Sequence, residues 1–448
     1  MNKLDSHPRI AARVAPVLFA LACSVSVAEP VDPTGFAPDG SAGFFWLRSG
    51  ILQAPATDPS LYFGISVDMS GDFLAVGSHA SAEDGSSLAG RVYVYRRVGS
   101  EWQLDTTLVS PAGAQQGAIF GNSVAIANTP EGVVLVVGEP GRDMWTRGII
   151  TSDVGVVWVF ERIDGAWVET ELMAAPSPHA LLGFSVDTDG SHVIAGGPGH
   201  EDNHGEVVVW RREGELWTAD HSLTALEIGA GVGYSVAIAG NLMLIGAPGA
   251  SYLGHAAAGL ALIKNLLADD EPVGIVLHDP TPDATELFGM AVAATPTRFA
   301  VGSIQDDAPG DDPDSGAVHV FQLQAGIAHL DATFRSPGPQ EDANFGAALA
   351  FAGERLVIGE RARDVFLFGE TLAGAGAMHL FRHIPETNSW IYETGLYNFG
   401  EGEQLGWSVA ADGHRVAAGV PTRANGAQTS AGAADVFEAD LIFADGFD

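Results

Sequence analysis

FGISVDMSGDFLAVGSHA, residues 63–80, and VGYSVAIAGNLMLIGAPGA, residues 232–250, are two copies of one pattern, and that pattern recurs along the whole chain. An aromatic or aliphatic residue followed by glycine opens seven segments: Phe63-Gly64, Phe120-Gly121, Leu182-Gly183, Val232-Gly233, Phe288-Gly289, Phe345-Gly346 and Leu405-Gly406. The glycines are spaced by 57, 62, 50, 56, 57 and 60 residues, which is one period and the signature of a repeat array. In five segments a second glycine follows seven residues later, at Gly71, Gly190, Gly240, Gly353 and Gly413. The short alternating run between the two glycines reads as a strand. Asp72, Asn241, Glu354 and Asp412 flank four of the second glycines, a tight hairpin signal because such turns need positive φ.

Working outward, a second strand ends in Gly77, Gly138, Gly246, Gly302 or Gly359, and a third begins at Gly90, Gly155, Gly205, Gly316 or Gly376. A fourth carries tryptophan six residues before an apolar residue: Trp102 and Leu108, Trp167 and Met173, Trp217 and Leu223, Trp390 and Leu396. Four short strands repeated seven times predict an all-β, seven-bladed β-propeller of four-stranded antiparallel blades. Trp46 and Leu52 repeat the fourth-strand spacing ahead of the first segment, while the last segment nearly ends after its third strand, GAADVFE from Gly432. Residues 44–52 are therefore expected to supply the outer strand of the last blade and close the ring, removing the unpaired edges of an open array.

With those residues in view, the segments resemble FG-GAP repeats, the blades of the integrin α-subunit propeller and of many exported bacterial proteins. The likeness is literal at Phe63-Gly64 and Gly246-Ala247-Pro248 and spans about residues 44–440. Integrin-type repeats often carry a calcium loop, Asp-x-Asp/Asn-x-Asp-Gly, between the first two strands. Here that connection is Ser70-Gly71-Asp72 or Ala239-Gly240-Asn241, too short and too poor in carboxylates to wrap a cation, so the resemblance implies the variety without calcium loops.

Composition narrows the function. Acidic residues outnumber basic ones 56 to 21, for a formal net charge of -35, and such a field repels phosphate backbones, so nucleic acid is not an expected partner. Lys3, Arg9 and Arg13 precede an apolar run from Val14 to Val27 that ends at Ala28, the layout of a secretory signal peptide. The expected organisation is signal peptide 1–28, linker 29–43, propeller 44–440 and a short acidic and aromatic tail 441–448. The single cysteine, Cys23, lies in the leader, so the mature chain has no disulfide and relies on its core. Ala20-Leu21-Ala22-Cys23 also allows lipoprotein cleavage, with Cys23 as a lipidated N-terminus, although Ala20 stands where leucine is usual. No downstream run is long and apolar enough to span a membrane.

Candidate chemistry is sparse. His200-Glu201-Asp202-Asn203-His204 matches H-E-x-x-H, but zinc chemistry needs both histidines on one helical face, and a loop between Gly199 and Gly205 cannot hold that helix. Asp306, Asp307, Asp311, Asp312 and Asp314 crowd one loop and are the candidate calcium ligands; no cofactor is implied. The tryptophans are expected to pack between blades rather than stack sugars, and Arg96-Arg97, Arg211-Arg212 and Arg382 to face water. In an antiparallel blade the loop between second and third strands shares a side with the connection to the next blade. These loops (78–89, 139–154, 198–204, 247–258, 303–315, 360–375 and 420–431) are long and variable, which makes their side the expected binding face. Its candidate residues are Glu139, Arg142, Asp143, His200, Asp202, His204, Asp306, Asp312, Arg361 and Arg363. The expectation is a monomeric, exported, non-catalytic binding or adhesion scaffold for an extracellular protein or glycan. The alternative is an enzyme acting on extracellular glycans from carboxylates converging at the central funnel.

Overall fold

Each second glycine closes a hairpin. Gly71, Gly190, Gly240, Gly353 and Gly413 have φ of 58, 86, 61, 60 and 60°, a region that costs other residues steric energy, and each joins a first strand to a second. The computed structural model describes residues 44–55, 61–79, 87–146, 148–174, 177–224, 229–267, 274–307, 314–426 and 429–441. The leader and linker expected over 1–43, and all but the first residue of the tail expected over 441–448, lie outside the described residues.

Within them the hairpins grow into seven four-stranded antiparallel sheets. Blade 1 is Val67–Ser70, Phe73–Ser78, Arg91–Val98 and Glu101–Leu108. Blade 2 is Ser123–Thr129, Gly132–Glu139, Val156–Ile163 and Ala166–Met173, and blade 3 is Ser185–Thr188, His192–Gly197, Glu206–Glu213 and Leu216–Thr224. Blade 4 (Ser235–Ala239, Leu242–Ala247, Leu260–Asn265, Ile275–Leu277) has the shortest outer strand. Blade 5 is Ala291–Ala294, Arg298–Ser303, Ala317–Gln324 and Ile327–Arg335; blade 6 is Phe345–Ala352, Arg355–Glu360, Ala377–Ile384 and Ser389–Tyr397. Blade 7 takes Val409–Asp412, Arg415–Val420 and Ala433–Leu441 from the end of the chain and Phe44–Leu52 from its beginning. First strands of successive blades touch around a complete ring, that of blade 7 meeting that of blade 1. The chain is a seven-bladed β-propeller closed by its N-terminal strand.

Burial falls from the second strand outward. Phe73–Ser78 is buried throughout, Arg91–Val98 over its first five residues, and Glu101–Leu108 at no position, so apolar runs become alternating ones as blade edges reach water. The core lies between blades: Val357 and Leu380 of blade 6 meet Val409, Val416 and Phe437 of blade 7, with Trp46 of the closing strand among them. The tryptophans do pack across these seams, Trp167 against Phe73 at 5.8 Å between ring centres and Trp390 against Phe334 at 5.4 Å.

A backbone contact too close for any side chain defines every seam. A Cβ built on Gly77 would collide with the carbonyl oxygen of Gly121 in the next blade, and the same holds for Gly138 with Gly183, Gly196 with Gly233, Gly246 with Gly289, Gly302 with Gly346, Gly359 with Gly406 and Gly419 with Gly64. Beside this approach, the serine two residues past the opening glycine donates its hydroxyl to the same carbonyl: Ser66 to Gly121, Ser123 to Gly183, Ser185 to Gly233, Ser235 to Gly289 and Ser408 to Gly64, at 2.8–2.9 Å. Blades 5 and 6 carry Ala291 and Ala348 at that place.

The closing strand is built as a true outer strand. Five blades have a register shift between third and fourth strands that leaves Asp105, Thr170, Asp220, Asp331 or Glu393 unpaired, and Phe44–Leu52 has the same shift at Ser49, three residues past its tryptophan like Asp105 past Trp102. Two expectations change. Arg97 and Arg212 do not simply face water: they reach back to the preceding blade and pair with Glu438 at 3.0 Å and Glu161 at 2.6 Å, while Arg96 and Arg211 are the exposed members of each pair. Arg382, half-buried, lies 2.9 Å from Glu393. In blade 7 the turn is Gly413-His414; Asp412 ends the first strand and its carboxylate accepts the Gly71 N–H of blade 1 at 2.5 Å.

Deleting residues 44–52 is expected to lower the denaturation midpoint of the whole ring in one transition, since it strips blade 7 of Trp46 and Leu52, each worth about 1.5–3 kcal/mol of burial. Circular dichroism and tryptophan fluorescence should report the same shift, and a midpoint equal to that of the intact chain would show that the strand closes nothing.

Candidate binding face

The loops between second and third strands are anchored by buried charge. In blade 2, Glu139 ends the second strand with no exposed surface and accepts hydrogen bonds from Trp158 Nε1 (2.7 Å) and Ser110 Oγ (2.9 Å), while Arg142 pairs with it at 2.6 Å. Burial pushes the Glu139 carboxyl up, and Arg142, Trp158 and Ser110 pull it back down. Blade 6 repeats the arrangement: Glu360 receives His379 Nε2 at 2.7 Å and Arg363 at 3.1 Å, and Arg363 also donates to Ser336 Oγ at 2.8 Å. In blade 7 Arg423 holds Asp435 at 2.5 Å and Glu403 at 2.6 Å and donates to Asn398. In each case a serine or asparagine at the end of the preceding blade reaches the base of the loop, so these nodes fix one blade's exit against the next blade's loop.

From two nodes a short hairpin projects. Met144–Thr146 pairs with Ile149–Thr151 above the blade 2 node, and Val365–Leu367 with Glu370–Leu372 above the blade 6 node. Both are stapled alike: Asp143 Oδ1 accepts the Asp153 N–H at 2.9 Å and Asp364 Oδ1 the Gly374 N–H at 2.8 Å. Each aspartate's own N–H donates to a glutamine of the preceding connection, Gln115 or Gln340. The hairpins are apolar where they meet water: Trp145 is 77% exposed, Ile149 and Ile150 68% each, Phe366 73% and Phe368 95%. Leu253, in the corresponding loop of blade 4, is 76% exposed.

These placements sort the residues singled out in the sequence. Glu139, Arg142, His200 and Asp306 are buried in loop bases, with Arg363 beside them in its node. Asp143 and Arg361 are half-buried, Arg361 lying 4.6 Å above the Trp407 ring. Asp202 is exposed and His204 half-buried. Asp307 is exposed and its Oδ1 accepts the Asp314 N–H, whereas Asp306 turns inward; Asp311 and Asp312 lie outside the described residues. The H-E-x-x-H stretch is one left-handed turn, with φ of 46, 59 and 65° at Glu201, Asp202 and Asn203, so its histidines do not share a right-handed helical face. His200 instead points at Glu206, Nδ1 to Oε2 3.6 Å. Beside that turn an open cleft of about 880 Å³ runs between blades 2 and 3, lined by Asp153, His179, Leu181, His200, Glu201 and His204.

The exposed aromatic tips escaped the sequence reading although a signal was present. Glu139-Pro-Gly-Arg142-Asp143-Met-Trp145 and Glu360-Arg-Ala-Arg363-Asp364-Val-Phe366 share the pattern E-x-x-R-D-x-aromatic, in which the acid and arginine form the node, the aspartate the staple and the aromatic the tip.

A closed ring of seven four-stranded blades with anchored loops on one side is a β-propeller, a fold that suggests a binding scaffold. Residues 46–95, from the closing strand to the third strand of blade 1, match the family model described as FG-GAP repeat. That match and the seven-bladed ring fit an integrin α-like FG-GAP propeller. No curated protein matches the chain.

Arg142→Met is expected to cost about 3–5 kcal/mol, because it leaves Glu139 buried and uncompensated, while Arg142→Met with Glu139→Gln together should cost less. Denaturant unfolding of the three proteins tests this; equal losses for the single and double variants would mean that the pair is not a unit.

Proposed function

We propose that this protein is an exported, non-catalytic binding scaffold that engages a protein partner through the side carrying the loops between second and third strands. The observation that carries the reading is the exposure of Trp145, Ile149, Ile150, Phe366 and Phe368 on two hairpins whose bases are locked by buried charge. Large apolar side chains held rigidly in water are the raw material of binding hot spots, and preorganisation lowers the entropic cost of association. The mixed aliphatic and aromatic character of the tips suits a protein surface better than a sugar face. A glycan ligand stacking on Trp145 or Phe366 is the other outcome the test distinguishes.

Export rests on the leader-like residues 1–28, and FG-GAP propeller domains are typically extracellular. Among the described residues no helix is long and apolar enough to cross a membrane. We place the protein in the extracellular space or cell envelope, as a monomer, with a lipid anchor at Cys23 as the variant route. Against catalysis from the funnel, the first-strand carboxylates already have structural partners. Asp68 accepts the N–H of Ile126 in the next blade at 2.7 Å, Asp187 that of Ile238 at 2.7 Å, and each takes a second backbone N–H from the residue that follows it. Burial pushes Asp68 up to about 8 and Asp187 up to about 7.

Trp145→Ser/Phe366→Ser/Phe368→Ser should leave the unfolding midpoint within the range of exposed substitutions, about 0.5 kcal/mol. Capture of the partner from the source organism's envelope and extracellular fraction should fall at least tenfold. A glycan array run on the same pair of proteins identifies a sugar ligand if that is what the tips hold. Undiminished capture by the folded triple variant would overturn the reading.

A further inference from the structure

Blade 5 has a node at the same place in the fold, with carboxylates where the other nodes carry the loop arginine and its neutral neighbour. Four residues beyond the second-strand glycines Gly138, Gly359 and Gly419, blades 2, 6 and 7 carry Arg142, Arg363 and Arg423; four beyond Gly302, blade 5 carries Asp306. The residue arriving from the preceding blade is Ser110, Ser336 or Asn398 in those nodes, and Asp279 here. Two carboxylates therefore stand where the other nodes have a guanidinium and a neutral partner. They converge on His319 in the third strand, the position held by His379 in blade 6.

Asp279 Oδ2 lies 2.8 Å and Asp306 Oδ2 3.3 Å from His319 Nε2, and all three residues are at most 2% exposed. A tetrahedral ion with bonds of about 2 Å separates its ligand atoms by about 3.3 Å, and the three candidate ligand atoms all lie within 4.8 Å of one another. On the far side of the ring His319 Nδ1 is 3.1 Å from Thr333 Oγ1, a partner that orients the imidazole with Nε2 toward the carboxylates. A second observation points inward independently. Oε2 of Glu286, a residue 4% exposed and close enough to both aspartates to be repelled by them, accepts no hydrogen bond, and Asp279 Oδ2 has no partner beyond His319 Nε2. Arg335 holds the other oxygen of Asp306, Oδ1, at 2.7 Å and leaves Oδ2 to the cluster.

We propose that this node binds a divalent transition-metal cation, with Zn²⁺ as the reference ion, through His319 Nε2, Asp279 Oδ2 and Asp306 Oδ2, three protein ligands that leave the fourth position of a tetrahedral shell to water. An imidazole among carboxylates suits Zn²⁺ and its neighbours, whereas Ca²⁺ and Mg²⁺ favour all-oxygen shells. The ion does here what arginine does in blades 2, 6 and 7: it supplies the positive charge that ties one blade's exit to the next blade's loop. Coordination requires a bare Nε2, so any proton on that nitrogen is released on binding.

The test is Zn²⁺ titration of the chelator-stripped full chain by calorimetry, with thermal unfolding in parallel. One Zn²⁺ per chain and a raised midpoint are expected, both lost in Asp279→Asn and in His319→Gln. Thr333→Val, which keeps every ligand, should weaken binding by about 10–100-fold, and it carries the test if the ligand variants fail to fold. His200→Ala/His204→Ala should bind like the wild type. Absence of stoichiometric uptake by the folded wild type, unchanged affinity in Thr333→Val, or uptake abolished by the His200/His204 variant would each overturn the site.

Discussion

Every blade of this ring meets the next through a glycine that has no room for a Cβ. The second-strand glycine lies against the carbonyl of the following blade's opening glycine, and this backbone-to-backbone approach occurs seven times, including across the seam between the two ends of the chain. Such closeness sets the angle between sheets. The hydroxyl staples of Ser66, Ser123, Ser185, Ser235 and Ser408 are possible only because the carbonyls are already at hand. Blades 5 and 6, with alanine in place of the serine, keep the approach and lose the staple, which ranks the two contributions. The packing geometry is obligatory, and the hydrogen bond adds on the order of 1 kcal/mol at each seam where it occurs.

Electrostatics is laid over that frame. The chain has 21 basic residues against 56 acidic ones, and many of its arginines are spent between blades: Arg97 to Glu438, Arg162 to Asp105, Arg212 to Glu161 and Arg298 to Glu354. Others sit in nodes beneath the loops. The surface left over is acidic, and five strongly exposed apolar groups of the loop side, Trp145, Ile149, Ile150, Phe366 and Phe368, sit on hairpins that rise from the nodes. Seam, node and tip thus form one chain of cause, running from a backbone constraint to exposed apolar tips on anchored hairpins.

How far the sequence showed this depends on the kind of interaction. Glycines required by geometry stand out, because no other residue substitutes for them; their spacing revealed blade number and hairpins. The tryptophan-to-leucine spacing marked Phe44–Leu52 as an outer strand before the shared bulge at Ser49 confirmed it. Buried charge in loops did not stand out. Glu139, Arg142 and Asp306 lie among glycines and prolines, where polar residues ordinarily face water, and nothing in the linear pattern shows that a carboxylate is turned inward. Asp279 and His319 belong to different blades, and only the ring brings them together. The outward arginines were misread for a related reason: the end of a third strand is a surface position within one blade and a seam position once the neighbour is in place.

The ring depends on the glycine seam, and the most direct measurement of that dependence compares Gly138→Ala with Gly50→Ala. Neither glycine has a positive φ, but a Cβ at Gly138 would meet the Gly183 carbonyl while at Gly50 the nearest atom is Trp102 Cδ1 at 4.0 Å. Equilibrium unfolding should show Gly138→Ala destabilised by about 3 kcal/mol or more and Gly50→Ala within about 0.5 kcal/mol of wild type. If the two substitutions cost the same small amount, the blades do not depend on that approach and the ring is held by something else.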